Sequence, residues 1–461
     1  MWQELRDKAA KFYQSGVRRE AAQAAEEALA LAEKELAPDA PELASILRLI
    51  GSIAFDQGEY EKAEKTFQRC LGIEEREHGS GDVAVAITLD NLASTYAAQR
   101  RYEEAEPLAR RAVEIMLGSL QDDDPDLAIG LDNLATIYHG LGKKEKAVVV
   151  KERALSALEK AFGPFHPKVI QIMEGLVHFC LELGRREDAL ALSQRLAELK
   201  GKTLEPDDPQ LHTALLQVAE LALSIGEFKL AENYYLRVLL LWEEHLGKDH
   251  PSVGEVWNQL GMIYAQMGEF EKGEQALERA REIAALAFGP DHLNVAVALL
   301  NLGRLHEAQG HWEKAKELFL GSLEIKEKQR GSEDPILVDS LFSLGRLLME
   351  HGQPERAEDY LVRGHALAEK YLPAGHALLG AFQSNLGKVY LARGRLEKAE
   401  ENFRRALEIG EQALGRDDPN LAIVLDNLAV VCAQTGREEE AERLKLRARE
   451  IRAKTQGEEG L

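Results

Sequence analysis

The stretch Leu89–Pro125, LDNLASTYAAQRRYEEAEPLARRAVEIMLGSLQDDDP, decides the fold because the rest of the chain repeats it with variations. A near copy begins at Leu131 with LDNLATIY, and LDNLA returns once more near the C-terminus. In the first copy Leu92, Ala93 and Tyr96 stand at positions i, i+1 and i+4, which is one face of a helix. The stretch therefore predicts a helix that packs through a small residue beside larger apolar ones.

The repeat keeps a constant period of 42 residues, with no insertion or deletion. Small residues recur with it, five positions after each turn and, in most units, seven positions before it. Because Gly or Ala at a crossing lets two helix backbones approach, each unit predicts a hairpin of helix A, a short turn and helix B. The turns are predicted at Gly16, Gly58, Arg100, Gly142, Gly184, Gly226, Gly268, Gly310, Gly352, Gly394 and Gly436.

A single hairpin of this kind cannot bury its apolar stripe, so neighbouring hairpins must stack. The predicted fold class is therefore all-α, a solenoid of eleven antiparallel helix-turn-helix repeats over residues 1–454, with a flexible tail at 455–461. In the middle, Leu196 and Val238 occupy a slot that Ala fills in other repeats. They predict a change of superhelical geometry between about residues 160 and 240, unless smaller neighbours such as Gly175 and Ala222 compensate.

The order of Leu, Gly or Ala, Tyr, turn Gly, Ala, aromatic, Ala and Pro resembles the tetratricopeptide repeat. The 42-residue period, the LxNLAxxY opening and the linkers Gly163–Pro167 and Gly247–Pro251 resemble the long repeats of kinesin light chains and related bacterial proteins. The resemblance covers the full length, and it implies a right-handed superhelix with a peptide-binding groove. No heptad segment precedes the repeats, so we do not expect a motor subunit.

Composition argues against several classes of function. The formal net charge of −22 and the pI near 5.2 disfavour nucleic-acid binding, which needs clustered positive charge. No apolar run approaches the roughly 18 residues of a membrane span, and the chain begins in a helical pattern without a secretory signal. Cys70, Cys180 and Cys432 are expected to fill small core positions. We therefore expect a cytoplasmic protein without membrane insertion.

An acid followed by proline precedes several A helices, which predicts a favourable N-cap and first helical residue. His166 and His250 stand at the same place as weaker caps. Neither has a second ligand nearby in sequence, whereas zinc needs three or four, so no metal and no cofactor are predicted. The acids in question are Asp124, Asp208, Asp334 and Asp418.

A row of amides is the first candidate binding feature. In tetratricopeptide arrays the A helices line the concave surface, so the residue before the repeated leucine is expected on the exposed groove side. An amide can donate to and accept from a peptide backbone, and the resemblance implies a peptide contact here. Asp90 and Asp132 precede two of these amides, so the N-terminal part of the groove should be neutral to acidic. This amide row consists of Asn91, Asn133, Gln217, Gln259, Asn301, Asn385 and Asn427.

Three successive repeats carry a cation two residues after that leucine, at Arg304, Arg346 and Lys388. In a chain of net charge −22 they predict a basic strip in repeats eight to ten that binds an acidic peptide or a C-terminal carboxylate. Kinesin light chains take acidic peptide segments, which is a similar preference. The alternative is pairing with neighbouring acids such as Glu307 and Glu350, which contributes little.

The sequence contains no catalytic signature such as GxSxG, HExxH, CxxC or a phosphate-binding glycine loop, so an enzyme is not expected. The leading interpretation is a scaffold or adaptor that binds protein or peptide segments in its groove. Two alternatives stay open, namely a peptide-responsive regulatory sensor and a structural protein that self-associates without a dedicated ligand.

Overall fold

The computed structural model describes residues 1–458, with side chains for residues 1–454. Within that part of the chain every regular element is helical, as 22 α-helices and one short 3-10 turn, which confirms the all-α repeat fold. The helices alternate between the A and B positions of the repeat, so odd-numbered helices are A helices and even-numbered helices are B helices. Their contacts cluster into two compact units, unit 1 at residues 1–227 and unit 2 at residues 228–461.

Unit 1 contains helices α1 to α11. They are α1 (Trp2–Gln14), α2 (Arg18–Glu35), α3 (Glu42–Asp56), α4 (Tyr60–His78), α5 (Val83–Ala98), α6 (Tyr102–Ser119), α7 (Pro125–Gly140), α8 (Lys144–Phe162), α9 (Pro167–Glu182), α10 (Arg186–Thr203) and α11 (Pro209–Ser224).

Unit 2 contains helices α12 to α22, and a 3-10 turn at Pro335–Leu337 leads directly into α17. They are α12 (Phe228–His245), α13 (Pro251–Gln266), α14 (Phe270–Phe288), α15 (Leu293–Ala308), α16 (Trp312–Arg330), α17 (Val338–Glu350), α18 (Pro354–Tyr371), α19 (Ala377–Ala392), α20 (Leu396–Leu414), α21 (Pro419–Gln434) and α22 (Glu438–Glu458).

All eleven predicted turn residues have a positive φ, which is the left-handed conformation that glycine adopts without steric cost. Arg100, at φ 60°, is the one non-glycine residue with positive φ among the described residues. The 42-residue period therefore predicts the backbone conformation at each A-to-B turn, including the turn that lacks glycine.

Close approach of helices A and B explains the small residues of the repeat. A Cβ added to Gly303 of α15 would lie 2.4 Å from Cε1 of Phe319 in α16, and one added to Gly387 would lie 2.7 Å from the Phe403 ring. Ala315, five residues after its turn, is fully buried. Helix B thus places a large side chain where helix A has none, as interdigitated packing requires.

Successive A helices approach one another within each unit. In unit 1 helix α3 contacts both α1 and α5, and α5 contacts α7. In unit 2 helix α13 contacts α15, and α19 contacts both α17 and α21. The extensive contacts of each B helix are instead with A helices. Where these contacts occur, neighbouring A helices lie side by side in an A-helix layer, and their side chains can meet across repeats.

Ion pairs join successive B helices on the other side of each unit. Lys143 Nζ binds Glu106 across 37 residues at 2.6 Å, and Arg437 binds Glu400 at the same spacing. A recurring arginine also donates to a backbone carbonyl 31 residues earlier in the linker between repeats. The sequence interpretation missed this arginine, although its 42-residue period is visible. It stands at Arg69, Arg111, Arg279, Arg363 and Arg447.

The predicted caps and core cysteines are confirmed. Asp124 Oδ1 accepts from the Asp126 amide at 2.8 Å, Asp208 and Asp418 cap their A helices in the same way, and Asp334 caps the 3-10 turn that leads into α17. His166 and His250 do so through Nδ1, at 3.2 and 3.3 Å. The three cysteines are buried and free, and burial raises the pKa of Cys70 to about 12.

Helix α22 runs to Glu458, so the tail predicted at 455–461 begins within that helix, and residues 459–461 lie outside the described residues. The boundary between the two units falls inside the range 160–240, where large residues replace alanine, and the change of repeat geometry there stays a prediction. No helix in the described part of the chain is long and apolar enough to cross a membrane.

Candidate peptide-binding groove

The amides of unit 1 lie on the A-helix layer and are half-buried. Asn133 Nδ2 of α7 donates to Asp90 Oδ2 of α5 at 2.7 Å, so this amide joins two A helices. Burial raises the pKa of Asp90 to about 6. The nearby charges of Asp126 and Asp132 also raise this pKa, whereas the hydrogen bond from Asn133 lowers it. In unit 1 the amide row therefore has a structural contact as well as a partly exposed surface.

In unit 2 one amide, Asn301, repeats this link between A helices. Asn301 Nδ2 of α15 donates to Asn258 Oδ1 of α13 at 3.0 Å, and Asn385 Nδ2 donates to the Ala381 carbonyl of its own helix at 2.9 Å. Asn301 is 7% exposed and Asn385 is 6% exposed, which corrects the expectation that every amide of the row is exposed. The physical reason is the close approach of neighbouring A helices. Gln259 and Asn427 are half-buried.

The three predicted cations have different surroundings. Arg346 pairs with Glu307, and its Nη1 lies 3.4 Å from Glu350 Oε1, which is the alternative that the sequence left open for this residue. Arg304 is exposed and Lys388 is half-buried, and neither has an acidic partner within ion-pair distance among the described residues. The charge of Arg346 is thus offset within the protein, whereas that of Arg304 is not.

A cavity of about 510 Å³ in unit 2 brings part of the predicted site together. Gln259, Asn301 and Arg304 line it, whereas the other seven predicted residues do not. Helices α13 and α15 to α19, with the 3-10 turn, supply its walls. A smaller hollow of about 220 Å³ adjoins it and shares Gln259. We call the larger concavity the unit-2 cavity. Its apolar lining includes Met262, Leu300, Ile336 and Leu372.

Lys326 of α16 lines the same cavity, and the sequence interpretation missed it. Its Nζ donates to Ser340 Oγ at 2.9 Å, and the side chain is 2% exposed. Burial lowers the pKa of Lys326 to about 8, while Asp339 raises it and Arg304 lowers it. The signal that points to this residue is a charged side chain at the same B-helix position of other repeats.

Among the described residues, one group of three potential metal ligands comes together, namely His139, His178 and Glu182 of unit 1, with ligand atoms within 4.8 Å. Glu182 accepts from His139 and from Lys144 at 2.8 Å and from His178 at 3.0 Å. Hydrogen bonds from Lys144 and His139 lower the pKa of Glu182 to about 2. The Lys144 ammonium already supplies the positive charge that a metal ion would bring to the Glu182 carboxylate. The contacts therefore form a polar network that links α7, α8 and α9.

Models of the tetratricopeptide repeat match residues 7–76, 42–117, 84–160, 210–272, 252–328 and 378–454, and a further model with the same description matches 342–413. The chain belongs to the tetratricopeptide repeat family. This confirms the predicted family. Such repeats are generally non-catalytic and serve as scaffolds for protein–protein interaction.

Solved structures of kinesin-light-chain-like proteins are similar to this tetratricopeptide repeat chain. BtubC (BKLC) from P. vanneervenii is 25% identical, with 49% of this chain and 90% of that chain covered and a TM-score of 0.43. A putative kinesin light chain from Podosopora anserina is 28% identical, with 45% and 98% covered and a TM-score of 0.39.

Aspartyl phosphate phosphatase F from Bacillus subtilis is also similar, at 16% identity, with 80% of this chain and 94% of that chain covered and a TM-score of 0.49. A search of curated proteins found no sequence that matches this chain.

Proposed function

We propose that the chain is a non-catalytic adaptor that binds acidic segments of proteins or peptides in the unit-2 cavity. The observation that carries the proposal is Arg304, an exposed guanidinium on the wall of a cavity of about 510 Å³, with no acid of the described residues at ion-pair distance. Arginine forms bidentate hydrogen bonds with carboxylates, and such bonds are stronger than those between neutral groups.

The lining of the cavity suits a peptide rather than a small ion. Gln259 and Asn301 supply amides that can bind a peptide backbone, although one Asn301 donor is used by Asn258. Met262, Ile336 and Leu372 supply apolar surface for side chains of the ligand. A few polar groups on a mostly apolar concave wall are typical of ligand sites.

The charge of the whole chain supports selectivity for this one region. With a net charge of −22, most of the surface repels an acidic segment at low ionic strength. Arg304 and Lys326 in the unit-2 cavity then supply the positive charge where such a segment binds. Basic peptides are expected to bind elsewhere, without dependence on Arg304.

A peptide-display screen with random acidic and basic peptides tests the proposal, followed by fluorescence anisotropy on the selected peptides. We expect acidic peptides to be selected and Arg304→Glu to weaken their binding at least roughly tenfold, because one shielded charged hydrogen bond contributes about 1.5–3 kcal/mol. Arg416→Glu is the matched control, since the Arg416 side chain is 85% exposed and lies outside the cavity. Equal affinities for wild type and Arg304→Glu would refute the proposal.

A further inference from the structure

One B-helix position faces the residue 26 positions earlier on helix A of the same repeat. In three repeats the two residues carry opposite charges and form an ion pair. In the eighth repeat the B-helix position holds Lys326, but the residue 26 positions earlier is Leu300. Lys326 therefore lacks the partner that the repeat supplies elsewhere. The three complete pairs are Arg48–Glu74, Glu174–Lys200 and Asp426–Arg452.

Among the residues that the structure describes, one of the three donors of the Lys326 ammonium has a hydrogen-bond acceptor. Ser322 Oγ donates to the Ala296 carbonyl at 2.7 Å, so its hydrogen is used. Ser340 Oγ, 3.1 Å away, must then donate to Ser322 and accept from Lys326. Asp339 also lines the cavity, but it forms no ion pair with Lys326 among the described residues.

A buried ammonium without a carboxylate at ion-pair distance is unfavourable, because burial removes water and the more distant charge of Asp339 offsets that loss only in part. The lowered pKa of Lys326 reflects this loss of hydration. In the fifth repeat the same ammonium position is stabilised, since Lys200 Nζ lies 2.7 Å from Glu174 Oε1. A ligand that brings a carboxylate into the cavity would give Lys326 the contact that Lys200 has within the chain.

We propose that Lys326, at the floor of the unit-2 cavity, binds the carboxylate of an acidic ligand, with Arg304 on the wall of the same cavity. We call this carboxylate-binding position beside Lys326 the seat. The carboxylate of an acidic ligand takes the place, relative to Lys326, that the Glu174 carboxylate has beside Lys200. The carboxylate comes either from an acidic side chain or from the C-terminus of the ligand. This inference rests on the proposed function and names the group that the cavity recognises.

Two probes separate the sources of the carboxylate in fluorescence anisotropy. One is a fluorescein-labelled peptide of four aspartates with an amidated C-terminus, and the other is a labelled peptide of four alanines with a free C-terminus. The amidated alanine peptide measures background binding. The probe that binds and responds to changes at Lys326 identifies the source.

Lys326→Met removes the charge and keeps the length of the side chain. We expect it to weaken binding of the responding probe roughly ten- to hundredfold, as for loss of a shielded charged hydrogen bond. Lys200→Met changes the same B-helix position three repeats earlier and should leave affinity unchanged, because Lys200 already has an internal partner. Circular dichroism confirms that both variants are folded.

Leu300→Glu provides a second test that does not remove the lysine. It recreates the Glu174–Lys200 arrangement in the eighth repeat, so an internal carboxylate should fill the seat and weaken probe binding by a similar factor. Leu300→Gln has a similar size without the charge. Because Leu300 lines the cavity, the effect of the added carboxylate is the difference in affinity between the Leu300→Glu and Leu300→Gln variants, and we expect the Glu variant to bind the probe more weakly.

The outcomes separate the seat from the proposed function. Loss of affinity in Lys326→Met, with Lys200→Met near wild type and Leu300→Glu weaker than Leu300→Gln, supports the seat. Wild-type affinity in Lys326→Met together with lost affinity in Arg304→Glu overturns the seat and leaves the adaptor function intact. Absence of binding by both probes and by every peptide from the display screen refutes the adaptor function and the seat together.

Discussion

The A helices of the two units differ at the position two residues before the repeated leucine. In repeats two to five, all in unit 1, this residue is charged, whereas in repeats seven to ten, all in unit 2, it is neutral. Three of these four charges in unit 1 have ion-pair partners within the chain, such as Lys151 for Asp132, whereas Asp90 accepts a hydrogen bond from the Asn133 amide. The charged residues are Arg48, Asp90, Asp132 and Glu174, and the neutral ones are Asn258, Leu300, Phe342 and Ser384.

This difference shows that the same position of the repeat can either carry a charge with a partner inside the chain or carry a neutral residue. In unit 1 the carboxylate beside Lys200 belongs to the chain, and in unit 2 the equivalent position beside Lys326 is apolar. Within the described part of the chain, Lys326 and the neighbouring Arg304 line the same cavity without an acid at ion-pair distance. A search for binding sites in such repeats should therefore look for interruptions of the internal pairing, rather than for charge alone.

The largest expected effect on stability concerns the two equivalent links between A helices. Asp90 with Asn133 in unit 1 corresponds to Asn258 with Asn301 in unit 2. Asp90 Oδ1 is buried without a hydrogen-bond partner. Asp90→Asn should stabilise the protein at pH 7, by up to about 3 kcal/mol, because a pKa shift of about two units corresponds to that free energy.

The sign of the pH dependence follows from the raised pKa. In the folded protein Asp90 has a pKa of about 6, whereas in the unfolded chain its pKa is near 3.8, so the folded protein holds this proton to a higher pH. Its contribution to stability is therefore complete at low pH and is lost as pH rises from about 4 to about 6. The difference in melting temperature between Asp90→Asn and wild type should grow over that range.

Asn258→Asp is the reverse change in unit 2, and it should introduce the same loss of stability above pH 6. Melting temperatures of the two variants between pH 4 and pH 7 check the comparison. A constant difference between Asp90→Asn and wild type across that range would contradict the assignment of a raised pKa to Asp90.

A second expected effect compares the packing of helices A and B in the two units. In unit 2 the small residue Gly303 packs against Phe319, 16 residues later, and the corresponding residues of unit 1 are Ala135 and Lys151. Gly303→Ala should destabilise the protein by about 1–3 kcal/mol, because the new Cβ overlaps the phenylalanine ring. Ala135→Gly, which creates no overlap, should cost about 1 kcal/mol through helix propensity. Urea unfolding measures both, and a stabilised Gly303→Ala would contradict the interdigitated packing.

The fold could be predicted almost completely from the sequence because its causes are periodic. Turn glycines, small crossing residues and acid–proline caps all recur at 42 residues and act locally. Even residues 161–209, which the family models leave unmatched, form helices α9 and α10. The fifth repeat departs from the family pattern at Gly175, but its turn at Gly184 and its buried Ala189 keep the period.

The candidate site could be predicted only in part, because it depends on contacts across repeats. The side-chain type of Asn301 and its place on helix A were readable, but its burial results from the approach of α13. Lys326 was missed because it lies on helix B, which was not expected to line a groove. Its missing partner becomes visible only when residues 26 apart are compared between repeats, as with Glu174 and Lys200.

The smallest expected effect distinguishes two neighbouring cations of unit 2. Arg346→Gln should change the affinity for an acidic peptide by no more than about twofold, because exposed or partly exposed ion pairs already offset its charge. Arg304→Gln removes a cation without an internal partner and should have the larger effect. Anisotropy titrations with the same acidic peptide compare the two variants. A loss near tenfold in Arg346→Gln would mean that the groove continues from the unit-2 cavity into the ninth repeat, with Glu307 and Glu350 displaced from Arg346 by the ligand.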